Sequence, residues 1–152
     1  MGTTIAPAVQ STSLFIPELG PRRKEAVLQH LVAHAAGAVR DPAVVCDALA
    51  MRERLGVTAL GKGVALPNVR SLGVLEPRVV VGRSTRGIDW GAADGQRVHL
   101  VLLTLSPAET PLDVHLDQVA RLTSAIRLVR QRARLLEAAD ADAVAALLRP
   151  TP

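Results

Sequence analysis

Two histidines and a glycine-rich turn are the first residues in this sequence whose types and spacing could do chemistry. His30 and His34 are four residues apart, so they would share one face of a helix, as paired zinc ligands do. The glutamate of the zinc-protease motif is missing between them, and no third ligand is apparent. The turn Gly61-Lys62-Gly63 resembles the start of a phosphate loop, but no Gly-Lys-Ser/Thr sequence follows it. The sequence therefore predicts neither a metal site nor a nucleotide-binding loop.

Cys46 is the single cysteine of the chain, so it cannot form an internal disulfide. It lies in an apolar run, where we interpret it as a buried structural thiol and not as a nucleophile. No serine lies in a Gly-x-Ser-x-Gly turn, and hydrolase chemistry therefore has no anchor.

Four arginines form a basic run near the end of a predicted helix: Arg127, Arg130, Arg132 and Arg134. Such a run is usually a solvated helix face that interacts favourably with the helix dipole. Contact with an acidic partner or with nucleic acid is the open alternative. The net charge of +4 is a weak sign that the protein has anionic partners.

Four helical regions are predicted from the spacing of apolar residues. The first covers residues 22–36 and ends at Gly37. The second opens after Asp41, which is the predicted N-cap, and continues to Gly56. The last two cover residues 111–126 and 135–148.

Three short apolar runs between turn residues predict strands at residues 64–66, 79–81 and 98–103. The last run is apolar on both alternating faces apart from His99 and Thr104, which is typical of a central strand covered by helices on both sides. Because helices come before and after the strands, we predict an α/β fold with a small sheet flanked by helices on both faces.

Length and composition indicate one folded domain. The chain has 152 residues, of which 49% are hydrophobic. We expect residues 1–13 to form a flexible N-terminal arm and residues 14–150 to form a single domain. The two aromatic residues are too few for base stacking, which argues against nucleic acid as a partner. No apolar run approaches the roughly eighteen residues that a membrane helix needs, and no secretory signal is evident, so we expect a cytoplasmic protein.

Three segments are informative because of their order and spacing. Residues 52–68 are RERLGVTALGKGVALPN, a helix end, a glycine-rich turn, a short strand and a proline. Residues 87–101 contain a Gly-Ile-Asp-Trp turn that leads into the central strand, and residues 115–122, HLDQVARL, open a helix. Together they resemble the type 2 enzyme IIA domains of the bacterial phosphoenolpyruvate-dependent sugar phosphotransferase system, the fructose, mannitol and nitrogen-regulatory group. The resemblance covers residues 14–148.

The resemblance implies a cytoplasmic domain with a small mixed sheet and a phosphohistidine. In such domains, the histidine after a Gly-x-Gly-Ile-Ala-Ile-Pro segment accepts a phosphoryl group from the phosphocarrier protein and passes it on. Asn68 stands at that position here. An imidazole offers a ring-nitrogen lone pair to phosphorus, whereas the lone pair of a carboxamide nitrogen is delocalised into the carbonyl. We therefore expect that Asn68 is not phosphorylated.

The resemblance also assigns roles to Arg52 and His115. Arg52 stands where the family has an arginine that neutralises the phosphoryl charge. His115 stands where the family has a second histidine, which hydrogen-bonds the phosphoryl oxygens. The residues alone also allow a simpler interpretation. In it, Arg52 is a solvated helix residue and His115 is a surface residue near the start of a helix. No metal or other cofactor is implied.

These residues predict a phosphotransferase-system IIA-like protein that acts as a non-phosphorylatable regulatory or protein-interaction module. Its partner would be the phosphocarrier protein or a regulated target protein, with phosphate or another anion as a further candidate ligand. Two alternatives stay open: an active phosphoryl carrier that uses His115, and a sensor of anions or phosphorylated metabolites. Whether the chain is an enzyme, and its oligomeric state, also stay open.

Overall fold

The computed structural model describes residues 13–149, which form one mixed six-stranded sheet and five α-helices. The strands are β1 Ser13–Ile16, β2 Ala59–Gly61, β3 Val64–Ala65, β4 Asn68–Ser71, β5 Arg78–Ile88 and β6 Val98–Pro107. The helices are α1 Lys24–His34, α2 Pro42–Leu55, α3 Leu112–Arg127, α4 Val129–Glu137 and α5 Ala141–Leu148.

Strand β6 organises the sheet. β5 pairs with one edge of β6 in antiparallel orientation, and β3 followed by β4 pairs with the other edge in parallel orientation. β1 extends the sheet beyond β5 in parallel orientation, and β2 extends it beyond β3 in antiparallel orientation. The predicted small mixed sheet is therefore confirmed.

The helices form a layer on each face of the sheet, and the side chains of β6 alternate between these layers. Leu100 and Leu102 pack with residues of α3, α4 and α5, whereas Val101 and Leu103 pack with residues of α1 and α2. All four are at most 1% exposed. The prediction of a central strand covered on both faces is confirmed, because the successive apolar side chains of residues 100–103 pack into both layers.

The start of α2 agrees with the sequence prediction. Asp41 Oδ1 accepts a hydrogen bond from Val44 N at 3.3 Å, and Pro42 occupies the first helical position. α1 ends at His34, earlier than predicted, because the chain then tightens into the 3-10 turn Ala36–Ala38.

The last predicted helical region, residues 135–148, includes only the end of α4 and the whole of α5. The division is made by Asp140, whose Oδ1 accepts from Ala143 N at 2.8 Å and so caps the start of α5. α4 begins at Val129, directly after α3, and includes most of the basic run.

A buried polar network joins α1, α2 and the segment before β2. Glu53, which is 8% exposed, accepts hydrogen bonds from both the amide and the hydroxyl of Thr58. Lys24 Nζ donates to Glu53 Oε2 at 3.2 Å and lies 5.6 Å from the centroid of the Trp90 ring. Trp90 Nε1 donates to Thr58 Oγ1 at 3.3 Å. The Glu53 carboxylate on α2 thus holds both α1 and the segment before β2 in place.

Strands β1, β2 and β4 were not predicted from the sequence, because each has at most four residues and shows no alternation of its own. The predicted N-terminal arm lies outside the described residues except for Ser13, which begins β1, so the arm stays a prediction. None of the helices within residues 13–149 has both the length and the apolar character needed to cross a membrane.

Candidate functional site

The break between β3 and β4 sets the position of Asn68. Pro67 has no N–H and interrupts the ladder along β6, although its carbonyl still accepts from Thr104 N at 3.0 Å. β4 begins at Asn68, which lies opposite Thr104 in the register with β6. Because paired residues on neighbouring strands point to the same face, Asn68 shares a face with Thr104. Two residues further along β6, Ser106 lies on that face as well.

His115 completes the site from the first turn of α3. Its Nε2 lies 3.0 Å from Asn68 Oδ1, and its Nδ1 lies 2.8 Å from Ser106 Oγ. Asn68 Nδ2 in turn donates to Leu66 O at 3.2 Å. Both ring nitrogens of His115 are therefore held, and the residue is 4% exposed.

The amide of Asn68 fixes the tautomer of His115. Since Nδ2 of Asn68 donates to Leu66 O, its Oδ1 faces the imidazole, and a carbonyl oxygen can only accept. Nε2 of His115 consequently carries the proton. In the neutral ring, Nδ1 then accepts from the hydroxyl of Ser106.

The surroundings of His115 favour this neutral form. Burial lowers the pKa of His115 from its ordinary value of 6.5, and the positive charge of Arg70 lowers this pKa further. Below pH 6.5 the unfolded chain takes up a proton at His115 that the folded chain resists. The contribution of this residue to stability is therefore present above pH 6.5 and is lost as the pH falls.

Arg70 places a positive charge at the edge of the site. It lies two residues after Asn68 on β4, is exposed, and its Nη1 donates to Thr110 O at 2.8 Å. This bond fixes the guanidinium beside the start of α3. The site therefore combines a neutral buried histidine with a cation that is accessible to solvent.

Replacing Arg70 with glutamine is expected to raise the pKa of His115, because a like charge is removed while burial is kept. A nuclear magnetic resonance titration of the imidazole signals measures this pKa. Arg121→Gln is the matched control, since Arg121 lies on α3 and pairs with Asp117; it should leave the pKa of His115 unchanged. Equal shifts in both variants would contradict the direct action of Arg70.

Thr104 supplies an unsatisfied group on the same face. The residue is 1% exposed, and among the described residues its Oγ1 has no hydrogen-bond partner. A buried hydroxyl without a partner is costly in most proteins. Since Thr104 is paired with position 68, its hydroxyl is available to a different side chain there.

The structure brings together only part of the predicted site. Arg52 lies at the end of α2, where its Nη1 donates to Gly56 O at 2.7 Å and so caps its own helix. The contacts of the described residues join Asn68 to His115 directly but do not include Arg52. A phosphate-binding role for Arg52 therefore stays a prediction.

Sequence reasoning did not find Ser106, Arg70 or the unpartnered Oγ1 of Thr104. Thr104 and Ser106 follow Leu100 and Leu102 on the same face of β6. The change from apolar to polar residues on this face was therefore visible in every second residue of the sequence. Their proximity to Asn68 depends on the register between β4 and β6, which the sequence does not reveal.

The other candidate residues lie elsewhere. His30 and His34 are both exposed on α1. Cys46 is half-buried against the core, not fully buried as expected, and burial followed by the charge of Asp47 raises its pKa. A raised thiol pKa disfavours the nucleophilic thiolate, in agreement with a structural role.

Comparison with known proteins places this chain and its fold in a family. The family model "Phosphoenolpyruvate-dependent sugar phosphotransferase system, EIIA 2" matches residues 10–150. The chain is 34% identical over 138 residues to a nitrogen regulatory protein of Bradyrhizobium diazoefficiens, covering 90% of each protein. The structure matches the nitrogen regulatory protein IIA-Ntr from Neisseria meningitidis with a TM-score of 0.79 and 27% identity, covering 93% of this chain and 94% of the other.

A third relative is much longer than this chain. The fructose-specific EIIABC component of Bacillus subtilis is 32% identical over 125 residues, which are 81% of this chain but 20% of that protein. The match with the family model, together with the shared fold, shows that the chain belongs to the EIIA 2 family of the phosphoenolpyruvate-dependent sugar phosphotransferase system.

Proposed function

We propose that this protein is a IIA-type regulatory or protein-interaction module that cannot be phosphorylated, because Asn68 occupies the position of the phosphohistidine. One observation carries the proposal: the hydrogen-bonded chain from Leu66 O through Asn68 and His115 to Ser106. These hydrogen bonds leave no nitrogen lone pair free for attack at the site.

Asn68 lacks the chemistry of an acceptor. Its nitrogen is an amide donor whose lone pair is delocalised, and that nitrogen is already used to bind Leu66 O. Its oxygen accepts the Nε2 proton of His115. Neither atom presents a lone pair that could displace a leaving group from phosphorus.

His115 does not replace the missing acceptor in this arrangement. Its Nε2 is protonated and donates to Asn68, and the lone pair on its Nδ1 points to the hydroxyl of Ser106. Ser106 is 0% exposed, so this side of the ring is closed to a protein donor. An attack through Nδ1 would first require the bond with Ser106 to break, and an attack through Nε2 would require the loss of its proton and of the bond with Asn68.

The proposed role follows from these restrictions. A IIA-like protein that cannot gain a phosphoryl group stays in one signalling state in the cytoplasm, whatever the supply of phosphoenolpyruvate. It would act by binding the phosphocarrier protein or a regulated target. The exposed cation Arg70 keeps a positive charge at the docking site, which suits a phosphorylated partner or phosphate itself.

The test is to incubate the protein with phosphoenolpyruvate, enzyme I and the phosphocarrier protein, and to measure its intact mass. We expect no added phosphoryl group, whereas a working IIA domain in the same mixture is phosphorylated and serves as the positive control. A phosphoryl group on the wild-type chain would overturn the proposal. If the His115→Ala variant then lost that group, His115 would be the acceptor and the protein an active carrier.

A further inference from the structure

A cavity lies between the β2–β3 turn and the C-terminal end of α3, away from Asn68 and His115. Its volume is about 410 Å³, which is within the usual range for small-molecule sites. Thr123, on its wall, comes eight residues after His115, about 12 Å along the helix. None of the residues that line the cavity is acidic.

Two cations face this cavity from different elements. Lys62 has a φ of 60° in the tight turn between β2 and β3, and its amide donates to Asp94 Oδ2 at 2.9 Å. Asp94 therefore holds the turn, and its negative charge also attracts the positive charge of Lys62. Arg127 is exposed at the last position of α3. Within residues 13–149, neither the Lys62 ammonium nor the Arg127 guanidinium has a hydrogen-bond or ion-pair partner.

Arg132 is a third cation at the cavity, and it reduces the repulsion between the end of α3 and a bound anion. The C-terminal end of a helix carries a partial negative charge. Arg132 Nη1 donates to the carbonyls of Ile126 and Arg127 at 2.9 Å each, which neutralises the end of α3. The remaining N–H groups of Arg132 are not used by these two bonds, and the residue also lines the cavity.

The rest of the wall is apolar. Val64 and Ile126 are each 3% exposed and form the inner surface. Leu60 and Val129 stand at the rim, and they are 51% and 72% exposed, although both are large hydrophobic residues. Exposed apolar residues beside these cations form a site for a ligand that has an anionic end and an apolar body.

We propose that this cavity binds a small organic phosphate monoester with an apolar body. A phosphate monoester carries close to two negative charges near pH 7, which matches the paired charges of Lys62 and Arg127. Its apolar body would cover Leu60 and Val129. The proposal also explains half of the basic run, since Arg127 and Arg132 line the cavity. It is independent of position 68 and of any phosphorylation.

Isothermal titration calorimetry with phenyl phosphate and with inorganic phosphate tests whether the cavity binds a phosphate group and whether it also requires an apolar body. We expect phenyl phosphate to bind at least about tenfold more tightly than inorganic phosphate, because only phenyl phosphate has an apolar body. Arg127→Gln should weaken the binding of phenyl phosphate about tenfold, through the loss of one charge-assisted contact. Arg130→Gln is the matched control, since it removes the same charge from an exposed neighbour outside the cavity, and it should leave binding unchanged.

The position of the ligand is checked by nuclear magnetic resonance. Phenyl phosphate should shift the signals of Val64 and Ile126 and leave the imidazole signals of His115 in place. The proposal is overturned if phenyl phosphate does not bind or binds no more tightly than inorganic phosphate. Equal weakening by Arg127→Gln and Arg130→Gln, or shifts centred on His115, would also overturn it.

Discussion

The Asn68→His variant is expected to gain one phosphoryl group per chain, where the wild-type protein gains none. The substitution supplies a ring nitrogen with a free lone pair at the site of the family's acceptor. It also removes Oδ1, which accepts the Nε2 proton of His115, so that this proton becomes available to a phosphoryl oxygen. The Oγ1 of Thr104 can accept a hydrogen bond from the new imidazole, because Thr104 is paired with position 68. Intact mass after incubation with phosphoenolpyruvate, enzyme I and the phosphocarrier protein measures the gain.

Two further variants separate the new nucleophile from other effects of the substitution. Asn68→Gln changes the same hydrogen bonds but adds no ring nitrogen, and it should stay unphosphorylated. The double variant Asn68→His, His115→Ala should be phosphorylated more slowly, because the donor to the phosphoryl oxygens is lost. If Asn68→His folds but gains no phosphoryl group, the loss of the acceptor is not what keeps this chain unphosphorylated.

The Glu53→Ala variant is expected to lose about 3 kcal/mol of unfolding free energy, because the buried Glu53 carboxylate accepts three hydrogen bonds, one of them from the partly buried Lys24. Lys24 would remain near the core without its carboxylate, and the amide and hydroxyl of Thr58 would each lose an acceptor. Urea unfolding followed by fluorescence measures this loss, and Trp90 is a suitable probe because it is the only tryptophan and is hydrogen-bonded to Thr58.

Glu76→Ala is the matched control for this prediction. Glu76 pairs with Arg78 at 2.8 Å, but its side chain is 61% exposed. Exposed pairs contribute little, so this variant should lose about 0.5 kcal/mol or less. Similar losses in the two variants would mean that the buried position of Glu53 adds nothing to the stability of the fold.

The sequence was most informative where a single residue or a long pattern determines the structure. The continuous apolar run of β6 and the cap at Asp41 are properties of local sequence, and both are confirmed. β1, β2 and β4 have too few residues to show a pattern, and their stability comes from pairing with neighbouring strands. Asp140 lies inside a predicted helical region, so the sequence did not identify it as the N-cap of a new helix.

The sequence likewise identified some residues of the candidate site and missed others. Asn68 and His115 were found by resemblance to a family, and the structure places them in direct contact. Arg70 acts on His115, and Ser106 lies on the same face as Asn68, only because β4 and β6 pair in one particular register. Such a register depends on the packing of the whole sheet, and no local sequence pattern records it.

The pairing of β1 with β5 has a consequence for the order of folding. It joins residues 13–16 to residues 79–82, with α1, α2 and three strands in the intervening chain. Closing so long a loop has a large entropic cost, and contacts of this kind slow the folding of a domain. During synthesis, β1 leaves the ribosome well before β5 and has no strand to pair with until β5 follows. β1 is therefore synthesised before the other described strands but is among the last to pair. Until then, its unpaired edge must be protected from pairing with other chains.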